Sequence, residues 1–326
     1  MKNITVLGAG GWGLALALSL NANGHKVTVW SPFADEVQNL NEKRTNEKLL
    51  TGIIIPNSIN ITTDLSVCQN NDITVIATPS FAVKETAQKL KSVKPNGIVV
   101  NVAKGFENKT LMRLSQVIES ELPNADIMVL SGPSHAEEVA RKIPTMLTVS
   151  GKNEQVCKTV QEVFSSDILR VYTNPDTIGV ELGGALKNVI AVAAGVCDGM
   201  GLGDNSKAAL ITRGLAEMSR LGEKLGAKAA TFAGLTGLGD LVVTCTSTHS
   251  RNHRFGELVG KGYTVEDALN IVGTVEGYYA CKSAYQLAQK HGVDTPIIEL
   301  SHKLLYEEYP VEDIVKTLMQ RPFKEE

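Results

Sequence analysis

The most constraining stretch of this 326-residue chain is Gly8-Ala9-Gly10-Gly11-Trp12-Gly13. An apolar, β-prone run, Asn3–Leu7, leads into it, and a helical pattern, Leu14–Asn23, leaves it. In a G-x-G-x-x-G turn the first glycine permits the sharp turn and the second lets a pyrophosphate approach the backbone. The third lets helix and strand pack closely. The N–H groups at the helix start then face the anion. In a chain with 29 glycines the pattern alone says little; its place between strand and helix predicts a dinucleotide site at Gly8, Gly10 and Gly13.

The pattern continues as that site requires. Further β-prone runs lie at Val27–Trp30, Asp72–Ala77, Gly97–Ala103, Ile127–Leu130, Thr145–Ser150 and Leu169–Tyr172. Helical patterns separate several of them, at Phe81–Lys91, Lys109–Ser120 and Asn153–Phe164. Strands alternating with helices predict an α/β doubly wound, Rossmann-like sheet, largely parallel. After Tyr172 helical patterns dominate, at Asp176–Val196, Ser206–Leu225, Arg251–Val259, Val265–Ile271, Tyr278–His291 and Thr295–Tyr306. An all-α C-terminal domain is therefore expected. The turn Thr173-Asn174-Pro175-Asp176 divides a dinucleotide-binding domain, 1–174, from a helical substrate-binding and catalytic domain, 175–326.

Composition excludes several function classes. There are 32 Lys and Arg against 35 Asp and Glu, so no basic surplus points to nucleic acid. The longest apolar stretch, Val189–Cys197, is far short of the roughly 20 residues of a membrane span, so the chain is not expected to be membrane-integral. No signal-peptide pattern opens the sequence. Five scattered cysteines without C-x-x-C spacing fit a reducing, cytoplasmic setting and offer no metal site. His249 and His253 are four apart and could share a helix face, but no acidic or cysteine partner completes a metal set.

A carboxylate ending the second strand would accept from the ribose 2′-OH of NAD, and an Arg there would suit the 2′-phosphate of NADP. Trp30-Ser31-Pro32-Phe33 supplies neither. Asp35 and Glu36 lie a turn further on, where helix capping accounts for them; Arg44 and Lys48 follow in the next loop. The missing carboxylate predicts that NADPH is favoured or comparable to NADH. Ligands of open α/β sheets sit beyond the carboxyl ends of the strands. Thr78–Ser80 and Gly132–Ser134, at two such ends, are each explained singly by turn chemistry. Lys104, at another, places a cation where it could meet phosphate or a developing alkoxide.

In the helical half, Lys187 stands among small and apolar residues. A lysine there must snorkel, pair with an acid or exist for chemistry. In a chain that also carries a dinucleotide-binding pattern, proton transfer is the favoured reading. Gly183 and Gly184, costly inside a helix, suggest close approach of another element or a ligand. Ser250-Arg251-Asn252-His253-Arg254 reads as a helix entry whose N–H groups and Arg fork suit a phosphate, or as a solvated basic turn.

Together these segments resemble the bacterial NAD(P)-dependent glycerol-3-phosphate dehydrogenases, from Ile4 to about Leu305. The most specific stretches are Ser131–Val139, Ile178–Ala194, Ile211–Leu221 and Gly237–Phe255, above all the run Leu238–Cys245. The resemblance implies interconversion of dihydroxyacetone phosphate and sn-glycerol 3-phosphate for phospholipid synthesis, and it admits a homodimer. It implies that Gly11 and Trp12 hold the cofactor and that Lys104 sits beside cofactor and substrate. Gly132 and Ser134 would contact substrate, with Ala136 on the cofactor side. Lys187 matches the family's proton-transfer lysine, and Asp240, Ser250, Arg251 and Asn252 its substrate residues. Arg251, Val275 and Glu276 would also touch the cofactor. Many relatives carry Arg or His just after the second strand, at the cofactor; this chain has Ser31-Pro32. Two rival readings are another β-hydroxyacid-type dehydrogenase and a non-catalytic sensor of NAD(P) redox state.

Overall fold

Short β-branched runs bounded by turn residues form a sheet because each buries side chains on both of its faces. The computed structural model describes residues 1–93, 95, 97–323 and 325. The chain divides into two compact units, Met1–Glu181 and Leu182–Glu326. In the first unit the elements run β1 (Asn3–Leu7), α1 (Gly11–Ala22), β2 (Lys26–Trp30), α2 (Ala34–Lys43), β3 (Asn60–Thr62) and β4 (Ile73–Ile76). They continue with α3 (Val83–Val93), β5 (Ile98–Asn101), α4 (Leu114–Glu121), β6 (Asp126–Ser131), α5 (Ala136–Ala140), β7 (Thr145–Gly151), α6 (Glu154–Phe164) and β8 (Leu169–Thr173).

The strand order is β3-β2-β1-β4-β5-β6-β7-β8. All neighbours are parallel except β6 and β7, which pair antiparallel with Ser131 opposite Thr148. Alternate strand residues feed two cores. Ile4, Val6, Val27, Val29, Ile73 and Val75 pack with Leu14, Leu16 and Leu20 of α1 and Val160 and Phe164 of α6. Leu7, Trp30, Ile76 and Val99 pack with Val83, Ala87 and Leu90 of α3 and Leu114 and Ile118 of α4. Both faces of the sheet are thus covered, as the doubly wound architecture requires.

Two local expectations change. The helix expected over Lys109–Ser120 begins only at Leu114. Glu107 accepts hydrogen bonds from the N–H and hydroxyl of Thr110, both at 2.6 Å, and Leu111 takes φ 61°, so a turn precedes the helix. Elements α2, α5 and β3 were not apparent from the pattern. The first is separated from β2 only by Ser31, Pro32 and Phe33, and the other two are five and three residues long.

The second unit continues from α7 (Thr177–Gly199), whose first turn lies in the first unit, with α8 (Gly203–Lys224), α9 (Ala229–Phe232), α10 (Asp240–Thr246) and α11 (Arg251–Gly260). Then follow α12 (Val265–Val272), α13 (Glu276–His291), α14 (Pro296–Tyr306) and α15 (Val311–Met319). No strand lies in this unit among the described residues. Helix α7 is predominantly apolar, and its most apolar stretch is 94% buried, as in the core helix of a helical domain. Glycines let it be crossed closely: a Cβ at Gly183 would lie 2.6 Å from the carbonyl oxygen of Thr236, and one at Gly195 would lie 2.0 Å from that of His253. The expectation for Gly183, close approach of another element, holds.

Candidate active site

The first unit carries the glycine turn. Gly8 takes φ 118°, and a Cβ at Gly13 would stand 2.1 Å from the carbonyl oxygen of Gly8. Only glycine lets α1 start this close to the turn. Gly10 has open space before it, with nothing within 4 Å of a built Cβ. Helix α1 has no side-chain cap and no acid in its first turn, so its leading N–H groups are available to an anion. Trp12, half-buried, packs on the core, and the Ala136 Cβ lies 3.5 Å from a Cβ built on Gly11. Thr78, beside Gly8 at the end of β4, has a buried hydroxyl oxygen with no hydrogen-bond partner. An open cradle, uncapped N–H groups and an unpartnered hydroxyl fit the pyrophosphate of a dinucleotide. The sequence explains Thr78 by turn chemistry alone, because a Thr-Pro-Ser turn looks the same with or without a ligand.

Lys104, beyond β5, donates from Nζ to the carbonyl oxygen of Gly132 at 2.9 Å and to Ser134 Oγ at 3.4 Å. Ser134 Oγ also donates to the Gly132 carbonyl, at 2.9 Å. Three residues expected at the site from separate strand ends are therefore one cluster. The end of β2 departs from the sequence expectation. Ser31 Oγ, on a residue only 1% exposed, donates to Glu36 Oε2 at 2.5 Å. Glu36, in the first turn of α2, returns a carboxylate to the strand end that the linear sequence left without one. Arg44 is engaged elsewhere, donating to the Ile59 carbonyl at 2.9 Å and to Asn41 Oδ1 at 3.2 Å.

The second unit carries a buried ion pair. Lys187 Nζ donates to Asp240 Oδ1 at 2.9 Å and to Thr244 Oγ1 at 2.6 Å. Thr244 in turn donates to the Asp240 backbone carbonyl at 2.6 Å, one turn back on α10. Lys187 is 6% exposed and Asp240 1%. Of the three options for this lysine, pairing with an acid is the one observed; the pairing fixes the ammonium's position without excluding chemistry. Burial pushes the thiol of neighbouring Cys245 up to about 12, so it is inert.

At the start of α11, Ser250 caps the helix by accepting from the His253 N–H at 3.2 Å, and Arg251 is exposed. Asn252 donates to Asn188 Oδ1 at 2.9 Å and accepts from the Gly277 N–H at 2.8 Å. Each end of its amide thus has one protein partner, and α7, α11 and α13 are tied together. Val275 is fully buried, whereas Glu276 is half-buried at the start of α13. His249 precedes α11, so it shares no helix face with His253. His253 Nε2 lies 2.7 Å from Asp198 Oδ2, which Lys207 also meets at 2.8 Å. Burial opposes charge on Asp198, but the hydrogen bonds from Lys207 and His253 outweigh it and hold the carboxyl below its usual value.

A doubly wound sheet whose glycine turn fits a pyrophosphate, in a chain whose helices hold a buried lysine–carboxylate pair, has the parts of a nicotinamide-dependent dehydrogenase. Residues 3–157 match the family described as NAD-dependent glycerol-3-phosphate dehydrogenase N-terminus, and residues 176–316 match the corresponding C-terminus. The glycerol-3-phosphate dehydrogenase [NAD(P)+] of Agathobacter rectalis is 50% identical, over 99% of this chain and 97% of its own length. That of Bacillus subtilis is 50% identical over 98% and 95%. The crystal structure of glycerol-3-phosphate dehydrogenase from Coxiella burnetii superposes with a TM-score of 0.95 at 39% identity, covering 98% of this chain and 99% of that one. The chain belongs to the bacterial NAD(P)-dependent glycerol-3-phosphate dehydrogenases.

Proposed function

We propose that this chain reduces dihydroxyacetone phosphate to sn-glycerol 3-phosphate, and runs the reverse, with Lys187 moving the proton at the C2 oxygen. The observation that carries this reading is the buried Lys187–Asp240–Thr244 cluster. Asp240 and Thr244 hold the ammonium at one point, so a proton is delivered in one direction when the carbonyl gains electrons. In oxidation the same nitrogen accepts the proton from the alcohol. The bound nicotinamide supplies or takes up the hydride.

Arg251 and the first N–H groups of α11 hold the substrate phosphate, with Ser250 shaping that helix start. Asn252, whose amide is held in place by Asn188 and Gly277, keeps a second N–H and a second oxygen lone pair for the substrate. Lys104 stabilises negative charge at the strand end, where Gly132 and Ser134 already orient it. The dinucleotide-binding role belongs to residues 1–174 and the substrate-binding role to 175–326. The setting is the cytoplasm, as a homodimer, and the product feeds phospholipid synthesis. The expectation that NADPH is favoured or comparable rested on a carboxylate-free end of β2; the Ser31–Glu36 hydrogen bond supports the opposite order.

The test is cofactor oxidation with dihydroxyacetone phosphate, against dihydroxyacetone and a panel of keto acids. Turnover confined to the phosphorylated ketone supports the assignment. Equal or faster turnover of a keto acid would transfer the site to a carboxylate substrate, and cofactor binding without any turnover would make the chain a redox sensor.

A further inference from the structure

The carboxyl end of β2 adjoins the glycine turn: the Gly8 N–H donates to the Trp30 carbonyl at 2.8 Å. Ser31 comes next. Its hydroxyl is fixed from two sides, accepting from the Phe33 N–H at 3.3 Å and donating to Glu36 Oε2 at 2.5 Å. Pro32 and Phe33, both exposed, lead into α2, whose first turn brings Glu36 to Ser31. Glu36 is only half-buried, and Ser31 occupies one of its two carboxylate oxygens. Asp35, exposed beside it, adds a second negative charge to the same helix turn. On the opposite side of the balance, Arg44 at the far end of α2 is committed to Ile59 and Asn41.

In dinucleotide-binding sheets, an acid at the end of the second strand accepts from the adenosine ribose 2′-OH, and a cation there accommodates the 2′-phosphate. Here the strand end carries a serine, and the acid arrives five residues later. Resting on the NAD(P) dependence of the family, we propose that Ser31 and Glu36 together replace the strand-end acid. Ser31 aims the Glu36 carboxylate at the ribose, where its other oxygen accepts from the 2′-OH and its charge repels a 2′-phosphate. This chain therefore selects NADH over NADPH. Glu36 is the specificity-determining residue and Ser31 positions it.

The test measures dissociation constants for NADH and NADPH by direct titration of nicotinamide fluorescence, with kcat/KM for each cofactor alongside. The same titrations use 5′-ADP and 2′,5′-ADP as fragments, which report the ribose site without the nicotinamide. Wild-type protein is expected to bind NADH and 5′-ADP at least about tenfold more tightly than their 2′-phosphorylated counterparts, since a charge-assisted hydrogen bond is worth about a decade or more. Glu36→Gln is expected to erase most of that ratio, chiefly by tightening NADPH. Ser31→Ala should loosen NADH severalfold while leaving NADPH weak, because the charge stays but is no longer aimed. Raising the salt should narrow the wild-type ratio and leave that of Glu36→Gln unchanged, because exposed charges are screened. Wild-type protein binding NADPH as tightly as NADH, or a ratio unmoved within twofold in folded Glu36→Gln, would overturn the proposal. Binding is read independently of turnover, so failure of the dehydrogenase reading and failure of this assignment are distinguishable.

Discussion

Replacing Lys187 with methionine separates the two roles of the lysine, structural and chemical. In the native protein its ammonium sits 2.9 Å from a carboxylate that is 1% exposed. Methionine keeps the length of the side chain and much of its apolar volume but leaves the Asp240 charge buried without its cation. Breaking a buried pair from one side costs about 3–5 kcal/mol. For a helical unit the size of Leu182–Glu326 that lowers Tm by roughly 6–20 °C. Adding Asp240→Asn should restore most of the lost stability, because no buried charge is then left without its counter-charge. Turnover should not return: loss of the acid–base group costs about 10²–10⁴-fold in kcat, in the single and the double variant alike. The assays are thermal unfolding from pH 5 to 8, kcat at a temperature well below each midpoint, and cofactor titration to show an intact first unit. A Lys187→Met Tm within about 2 °C of wild type would refute the reasoning about the pair. Turnover restored in the double variant would show that the lysine acts only as a strut.

Three further perturbations have defined outcomes. Burial pushes the Glu217 carboxyl up to about 7, against the pull of the Ile297 and Ile298 N–H groups it accepts from. Its folded pKa lies above the unfolded value of 4.5, so its contribution to stability is fully present below that value and is lost as pH rises towards 7. Tm should fall across that window, with a shallower slope in Glu217→Gln. Gly195→Ala would drive a methyl to 2.0 Å from the His253 carbonyl, forcing α7 and α11 apart at a cost of about 1–3 kcal/mol or more. A lowered urea midpoint at constant slope is the expected readout. Arg251→Ala removes an exposed guanidinium proposed to fork the substrate phosphate, so KM for dihydroxyacetone phosphate should rise by roughly one to two decades, about 1.5–3 kcal/mol. Tm should hold, and an unchanged KM would remove Arg251 from the site.

Some of this protein was determined by the sequence alone, because the forces involved act over a few residues. Side-chain alternation, glycine at positions that tolerate no Cβ, and a proline-marked turn near residue 175 act within one element or its flanks. They were enough to locate seven of the eight strands and the glycine turn at Gly8–Gly13. Three-residue β3 carries too little pattern to be read, and the antiparallel pairing of β7 depends on what lies beside it in the sheet. The tertiary structure alone decided which charges meet. Lys187 finds Asp240 53 residues away, and Asn252 finds Asn188 at a separation of 64. At such distances packing sets the partner, and the local sequence of either residue says only that a buried polar group must have one. Glu36 shows the same limit at five residues: its place in the sequence fits helix capping, and only the fold of Pro32 and Phe33 brings it back to Ser31.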